Sequence, residues 1–175
     1  MKNFIKSALL LACGAVVFTA CSDDMEHNPT IQHPDTFVLN TPAYATSLVD
    51  LATSTSVPFT WSQPAYGFPA VATYQVQISA NNTWTKDIQD GEVDAHKKSV
   101  GDYKTFSQEY TTTKAELLSA DIATALEQIT HYAPNTVPAT QKLYVRVRAA
   151  FAGDTIFSNT ITVNVCLLYT SDAAD

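Results

Sequence analysis

The sequence predicts an all-β sandwich, and three stretches carry the prediction. LYVRVRAAF, residues 143–151, alternates throughout: Leu143, Val145, Val147, Ala149 and Phe151 share one side, and Tyr144, Arg146 and Arg148 the other. TYQVQIS, 73–79, sets Tyr74, Val76 and Ile78 against Thr73, Gln75, Gln77 and Ser79, and VPFTWSQP, 57–64, sets Val57, Phe59 and Trp61 against Thr60 and Ser62. A period of two is the mark of a strand with one face buried and one face wet. With the shorter candidates below, six or seven strands and one connecting helix result, which is the pattern of a two-layer β fold.

In chain order, residues 1–20 read as an export signal. Lys2 and Lys6 precede a small apolar run from Ser7 to Val17 that is too short to span a bilayer, and Ala20 offers the small side chain a peptidase needs. Cys21 follows directly, then Ser22, Asp23 and Asp24, so Cys21 is expected to carry the lipid of a bacterial lipoprotein. The rival cysteine, Cys13, would leave Val16, Val17 and Phe18 exposed after cleavage. Residues 21–35 are polar, acidic and broken by proline, and read as a flexible tether.

The sandwich is expected over 36–165. FVLNTP, from Phe37, is an extended edge segment because Pro42 has no N–H to give to a ladder. After the 57–64 and 73–79 strands, Asn81 and Asn82 supply turn chemistry and Trp84 opens a short further strand. Lys86 to Lys104 has few apolar residues and two glycines, and reads as a long solvated loop. Phe106 to Thr112 is strand-like. Thr113 to Leu118 fits either a strand or a helix begun by a Thr113/Glu116 capping box. Leu118, Ile122, Leu126 and Ile129 recur at helical spacing, which predicts a helix over 119–130 with Ser119 as its cap and Asp121 in its first turn. AGDT then turns a hairpin in which Gly153 and Asp154 take the unusual backbone angles, and the return strand points Ile161, Val163 and Val165 inward. Residues 166–175 abandon the alternation and read as an atypical, spurious tail.

Charge and cysteines narrow the function. The chain carries −7, and cleavage before Cys21 removes two lysines and no acid, leaving −9. Nucleic acid is thereby excluded as a partner. The three cysteines, at 13, 21 and 166, leave no pair for a disulfide once the leader is removed and Cys21 is acylated. Core packing must hold the fold.

The order of these segments resembles a known family. A lipoprotein cysteine followed by acids, then FVLNTP, PFTWSQPAYG, TYQVQIS, LYVRVRAAF and SNTITVNV, is similar to the amino-terminal domain of SusE/SusF-type outer-membrane proteins over about residues 37–165. The resemblance implies an immunoglobulin- or fibronectin III-like sandwich. It also implies a non-enzymatic lipoprotein anchored at the cell surface in the outer membrane, serving a starch or glycan uptake system. Its partners would be a TonB-dependent transporter and its lid lipoprotein. In that family the carbohydrate sites lie in carboxy-terminal domains, so this domain would be a spacer presenting modules that lie beyond it. Two alternatives fit the same tether and sandwich: the non-catalytic leading domain of a surface glycoside hydrolase, and an adhesin-type interaction domain.

The residues themselves suggest no catalytic, cofactor or metal site. His27, His33, His96 and His131 lack ligand spacing, and no nucleophile elbow or phosphate loop appears. Asp87, Asp90, Glu92 and Asp94 around Gly91 do not match an EF-hand and read as a solvated acidic loop. For glycan stacking the candidate rings are Trp84, Tyr66 and Phe68, while Trp61 and Tyr74 belong to the core. Those three rings fall in turns separated by a buried strand, so the domain alone is expected to bind glycans poorly. Arg146 and Arg148 share a polar strand face with Tyr144, where their stems are expected to cover the sheet.

Overall fold

A computed structural model describes residues 30–88, 101–132 and 136–167 of the chain. Its strands are β1 (Thr36–Phe37), β2 (Leu48–Asp50), β3 (Ser56–Thr60), β4 (Thr73–Ser79), β5 (Tyr103–Thr105), β6 (Lys114–Leu118), β7 (Gln141–Phe151), β8 (Asp154–Ser158) and β9 (Ile161–Cys166). One helix, α1 (Ser119–Thr130), joins β6 to β7. The leader, Cys21, most of the tether and residues 168–175 lie outside the described residues.

The long alternating stretch forms the centre. β7 pairs antiparallel with β4 on one side and with β8 and β9 on the other, and β5 extends the sheet beyond β4. β3 and β6 form the second, antiparallel layer. Leu143, Val145, Val147 and Ala149 of β7, Val76 and Ile78 of β4, and Val57 and Phe59 of β3 fill the space between the layers, each at most 2% exposed. Trp61 and Tyr74 belong to the same core, with ring centroids 5.3 Å apart. The described residues thus form the expected all-β sandwich with one connecting helix.

β8 and β9 are two halves of one hairpin arm. Arg148 faces Phe157 and Val145 faces Ile161, so β7 spends two residues where its partner spends three, and Ser158 to Thr160 is a β-bulge. The bulge is stitched by side chains. Ser158 Oγ accepts from the Val147 N–H at 2.9 Å. The Asn159 amide bonds both backbone groups of Leu39, at 2.8 and 3.1 Å, as a strand neighbour would. Leu39 itself bridges to Trp61 in the other layer. The expected FVLNTP edge segment is therefore divided: β1 lies parallel to β8, and Leu39 ties the crossing to the second sheet.

A turn of 3-10 helix at Ala43–Thr46 then leads into β2, parallel to β9, an element with no alternation to announce it. β9 runs through Cys166, and Leu167 is buried against the core.

Several local expectations are corrected. Of the two readings open for Thr113 to Leu118 the strand holds and the capping box does not: Lys114–Leu118 pairs with β3, leaving Leu118 exposed. The helix covers 119–130 as expected, but Leu118 stands at its N-cap, and the Ser119 hydroxyl is buried without a hydrogen-bond partner. The chain passes from strand to helix with no intervening loop, so Ser119 is already inside the first turn, where a hydroxyl cannot reach back as a cap. Phe106 to Thr112 is not a strand. That segment crosses from the β5 sheet to the β6 sheet and meets β4 through the Phe106 N–H on the Val76 carbonyl and at the Tyr74–Tyr110 bridge. Trp84 opens no strand, although Asn82, with φ of 57°, makes the expected turn. Both ends of the expected 86–104 loop are ordered: Asp87 bridges Tyr103, and Tyr103–Thr105 is β5, while 89–100 lies outside the described residues. The hairpin's left-handed residues are Ala152 and Gly153, not Gly153 and Asp154, since Asp154 already pairs with Phe151.

Candidate functional site

Side chains opposite one another across a pleated sheet lie within reach, so strand register decides which polar groups meet. On the outer face of the large sheet, Arg146 stands opposite Gln77, and Gln77 opposite Thr105. Arg148 stands opposite Gln75 on one side and Phe157 on the other. The hydrogen bonds follow these rows. Arg146 Nε donates to Gln77 Oε1 at 2.7 Å, Gln77 Nε2 donates to Thr105 Oγ1 at 2.8 Å, and Thr105 Oγ1 donates to Asp87 Oδ2 at 2.5 Å. The Thr105 N–H also donates to Asp87 Oδ1, at 2.9 Å. Arg148 Nη1 donates to Gln75 Oε1 at 2.7 Å. The first row is one directed chain from a guanidinium to a carboxylate, in which each bond polarises the next.

Three rings surround the head of Arg146. Its Cζ lies 4.1 Å from the Trp84 ring centroid, 4.2 Å from Phe157 and 5.6 Å from Tyr103. Stacking of this kind favours arginine, whose weakly hydrated plane loses little on leaving water. Burial pushes the Arg146 guanidinium below its ordinary value, against the opposing influence of Tyr103, Asp102 and Asp87. It stays charged.

The Trp84 segment is fixed from beneath by Asp102, whose carboxylate accepts from the N–H groups of Thr85 and Lys86 at 2.9–3.0 Å. Burial alone would raise the Asp102 carboxyl, but these hydrogen bonds outweigh it and hold the group below the usual carboxylate range. Burial, with Asp87 nearby, raises the Tyr103 phenol. Beside this cluster a cavity of about 390 Å³ opens over the sheet, bordered by Arg148, Asp87, Tyr103 and Phe157 with Gln75 and Thr105 among the strand residues beneath.

The structure separates the three rings singled out from the sequence. Tyr66 is buried, 4.7 Å from Phe151, and Phe68 is half-buried against the same ring at 6.1 Å. Only Trp84 joins the Arg146 cluster, stacked on the guanidinium and tilted against Tyr103. Tyr103 and Phe157, its companions, were not legible: one falls in a stretch that reads as loop, and the other on a short strand after the hairpin. Arg146 does more than cover the sheet, since it is clamped between rings. Among the acidic loop residues, Asp87 is tied to Thr105, while Asp90, Glu92 and Asp94 lie outside the described residues, as do His27 and His96. His33 pairs with Asp154. No group of three or more histidines, cysteines or acids with metal-holding geometry occurs among the described residues.

Two packed sheets, with β1 and β2 parallel to the last two strands, β8 and β9, and a second layer made of β3 and β6, define an immunoglobulin-like domain with a polar, ring-lined outer face. The SusE outer membrane protein family model matches residues 23–148, and the chain belongs to that family. Membership places it among the outer-membrane proteins of Sus-like systems, a family of non-catalytic surface binding proteins.

Proposed function

We propose that this domain is the amino-terminal spacer of a lipid-anchored surface protein in a glycan uptake system, held by Cys21 and carrying binding modules away from the membrane. The observation that supports this reading is the direction of the first and last strands. β1 and β2 run parallel to β8 and β9, with Thr36 opposite Phe157 and Asp50 opposite Cys166. The chain therefore enters at one pole of the sandwich and leaves at the other, about eight strand positions further on once the bulge is discounted, or about 26 Å at roughly 3.3 Å per residue. A domain that entered and left at one end would give no such reach. The TonB-dependent transporter and its lid lipoprotein are the partners of this reading, with starch or another glycan bound through further modules.

The test is made on cells. Cys21→Ala is expected to abolish incorporation of a palmitate analogue. External protease on intact cells is expected to remove the protein, and replacing Asp23 and Asp24 by alanine to protect it. Deleting residues 36–165 from the anchored protein should reduce retention of long polysaccharides more than of short oligosaccharides. Equal retention of both would remove the spacer role.

A further inference from the structure

Facing residues of an antiparallel pair alternate between those that exchange hydrogen bonds and those whose backbone groups point away from the partner. The Trp61 N–H donates to the Thr113 carbonyl at 3.0 Å and the Ser119 N–H to the Thr55 carbonyl at 3.1 Å, so the odd-numbered positions of β3 and β6 bond across the pair. The even-numbered positions turn their backbone groups outward, at Ser56, Pro58 and Thr60 on β3 and at Lys114, Glu116 and Leu118 on β6.

The two edges of this small sheet are treated differently. On β3, Pro58 has no N–H, its carbonyl accepts from the Tyr44 hydroxyl, and the Thr60 carbonyl accepts from the Asn40 N–H at 2.9 Å. That edge is closed. On β6, the Lys114 N–H and both backbone groups of Glu116 have no partner among the described residues, and a cavity of about 190 Å³ opens beside Glu116 and Leu118. We propose that the β6 edge is an interface with a second copy of the chain, antiparallel β6 to β6, with Lys114 of each copy facing Glu116 of the other.

Charge complementarity selects this occupant and this register. Lys114 and Glu116 are both exposed, carry opposite signs and stand two residues apart on one strand face, while Ala115 and Leu117 between and beyond them point into the core. A two-fold axis at Ala115 sets each Lys114 opposite a Glu116, and the outward N–H and C=O groups of both positions then pair as a ladder. Sliding the pairing by two residues in either direction puts Lys114 on Lys114 or Glu116 on Glu116, and like charges directly opposite are unfavourable. Leu118, 53% exposed, comes to face Thr112 of the second copy and leaves water in part. Five residues a side bury less than the roughly 1,200 Å² of a stable interface, so the dimer is weak and reversible. The net charge of −7 on each copy opposes it, and salt screens that repulsion.

Sedimentation equilibrium of the full chain at about 0.15 M salt, in a nonionic detergent that masks the apolar run of residues 7–17, tests the proposal. A reversible monomer–dimer equilibrium is expected within about 10–500 μM. Glu116→Lys and Lys114→Glu each turn two facing pairs into like charges at once, and each should weaken self-association about tenfold or more. The two variants mixed in equal amounts should associate with each other, and the double exchange Lys114→Glu/Glu116→Lys should dimerise as the parent does. Association of the mixture also shows that both single variants fold. A parent that stays monomeric throughout overturns the interface. So does association that survives in both single variants, or a mixture and a double exchange that both remain monomeric.

Discussion

At the scale of single residues, Trp61 and Ser119 show two ways in which burial acts. Trp61 is 3% exposed, tilted against Tyr74 and edge-on to Tyr110 at 6.4 Å, so truncation would leave a large hole between the sheets. Trp61→Ala is expected to cost about 3–5 kcal/mol in denaturant unfolding. A cost below about 1 kcal/mol would mean that the ring does not hold the layers together. Ser119 is the opposite case. Its hydroxyl is buried with no partner among the described residues, so its desolvation is uncompensated. Ser119→Ala should be neutral or stabilise by up to about 1 kcal/mol, where loss of a true cap would destabilise by a similar amount. The facing of Trp61 was legible because alternation fixes it from neighbours alone. The place of Ser119 was not, because a cap is defined by where the helix begins, and here that is set by β6 pairing with β3.

At the scale of elements, the hairpin after β7 is built on a suboptimal residue. A two-residue loop of this hand needs positive φ at both positions, and Ala152 takes φ of 51° beside Gly153 at 88°. A side chain with a Cβ meets the backbone there, at a cost of about 1–2 kcal/mol that asparagine largely escapes. Ala152→Asn should therefore raise stability by about 0.5–1 kcal/mol, read as a shift in the denaturation midpoint with the slope unchanged. A lowered midpoint would show that the turn geometry is different. The hairpin, the three long strands and the helix could be read from sequence because each repeats its own period. β5 could not: three residues, YKT, hold no period, and Lys104 at its centre is buried with Nζ on the Ile88 carbonyl. The 106–112 segment has strand composition, yet tertiary pairing overrides it, because its ends belong to different sheets.

At the scale of the molecule, the ring-lined face depends on residues from β4, β5, β7, β8 and the Trp84 segment, and no local pattern announces such a convergence. What can be measured at this scale is how burial of the tyrosines ties stability to alkaline pH. Tyr44, packed edge-on against Phe59 with its hydroxyl donating to the Pro58 carbonyl, has its pKa pushed up to about 12 by burial. Burial also raises Tyr66, Tyr74, Tyr103 and Tyr110. Below about pH 10 these phenols are neutral in the folded and the unfolded chain, and their contribution is fully present. As pH rises further, the unfolded chain releases its protons first, so it binds fewer than the folded protein and the equilibrium moves toward unfolding. For Tyr44 the loss runs from about pH 10 to about pH 12. Urea unfolding across this range should show stability falling with pH in the parent and falling less steeply in Tyr44→Phe. Tyr44→Phe should itself cost about 1 kcal/mol at neutral pH, where the donated hydrogen bond is intact. Parallel curves for the two proteins would mean that Tyr44 is not protected from ionisation by the fold, and the alkaline loss would then belong to the other four.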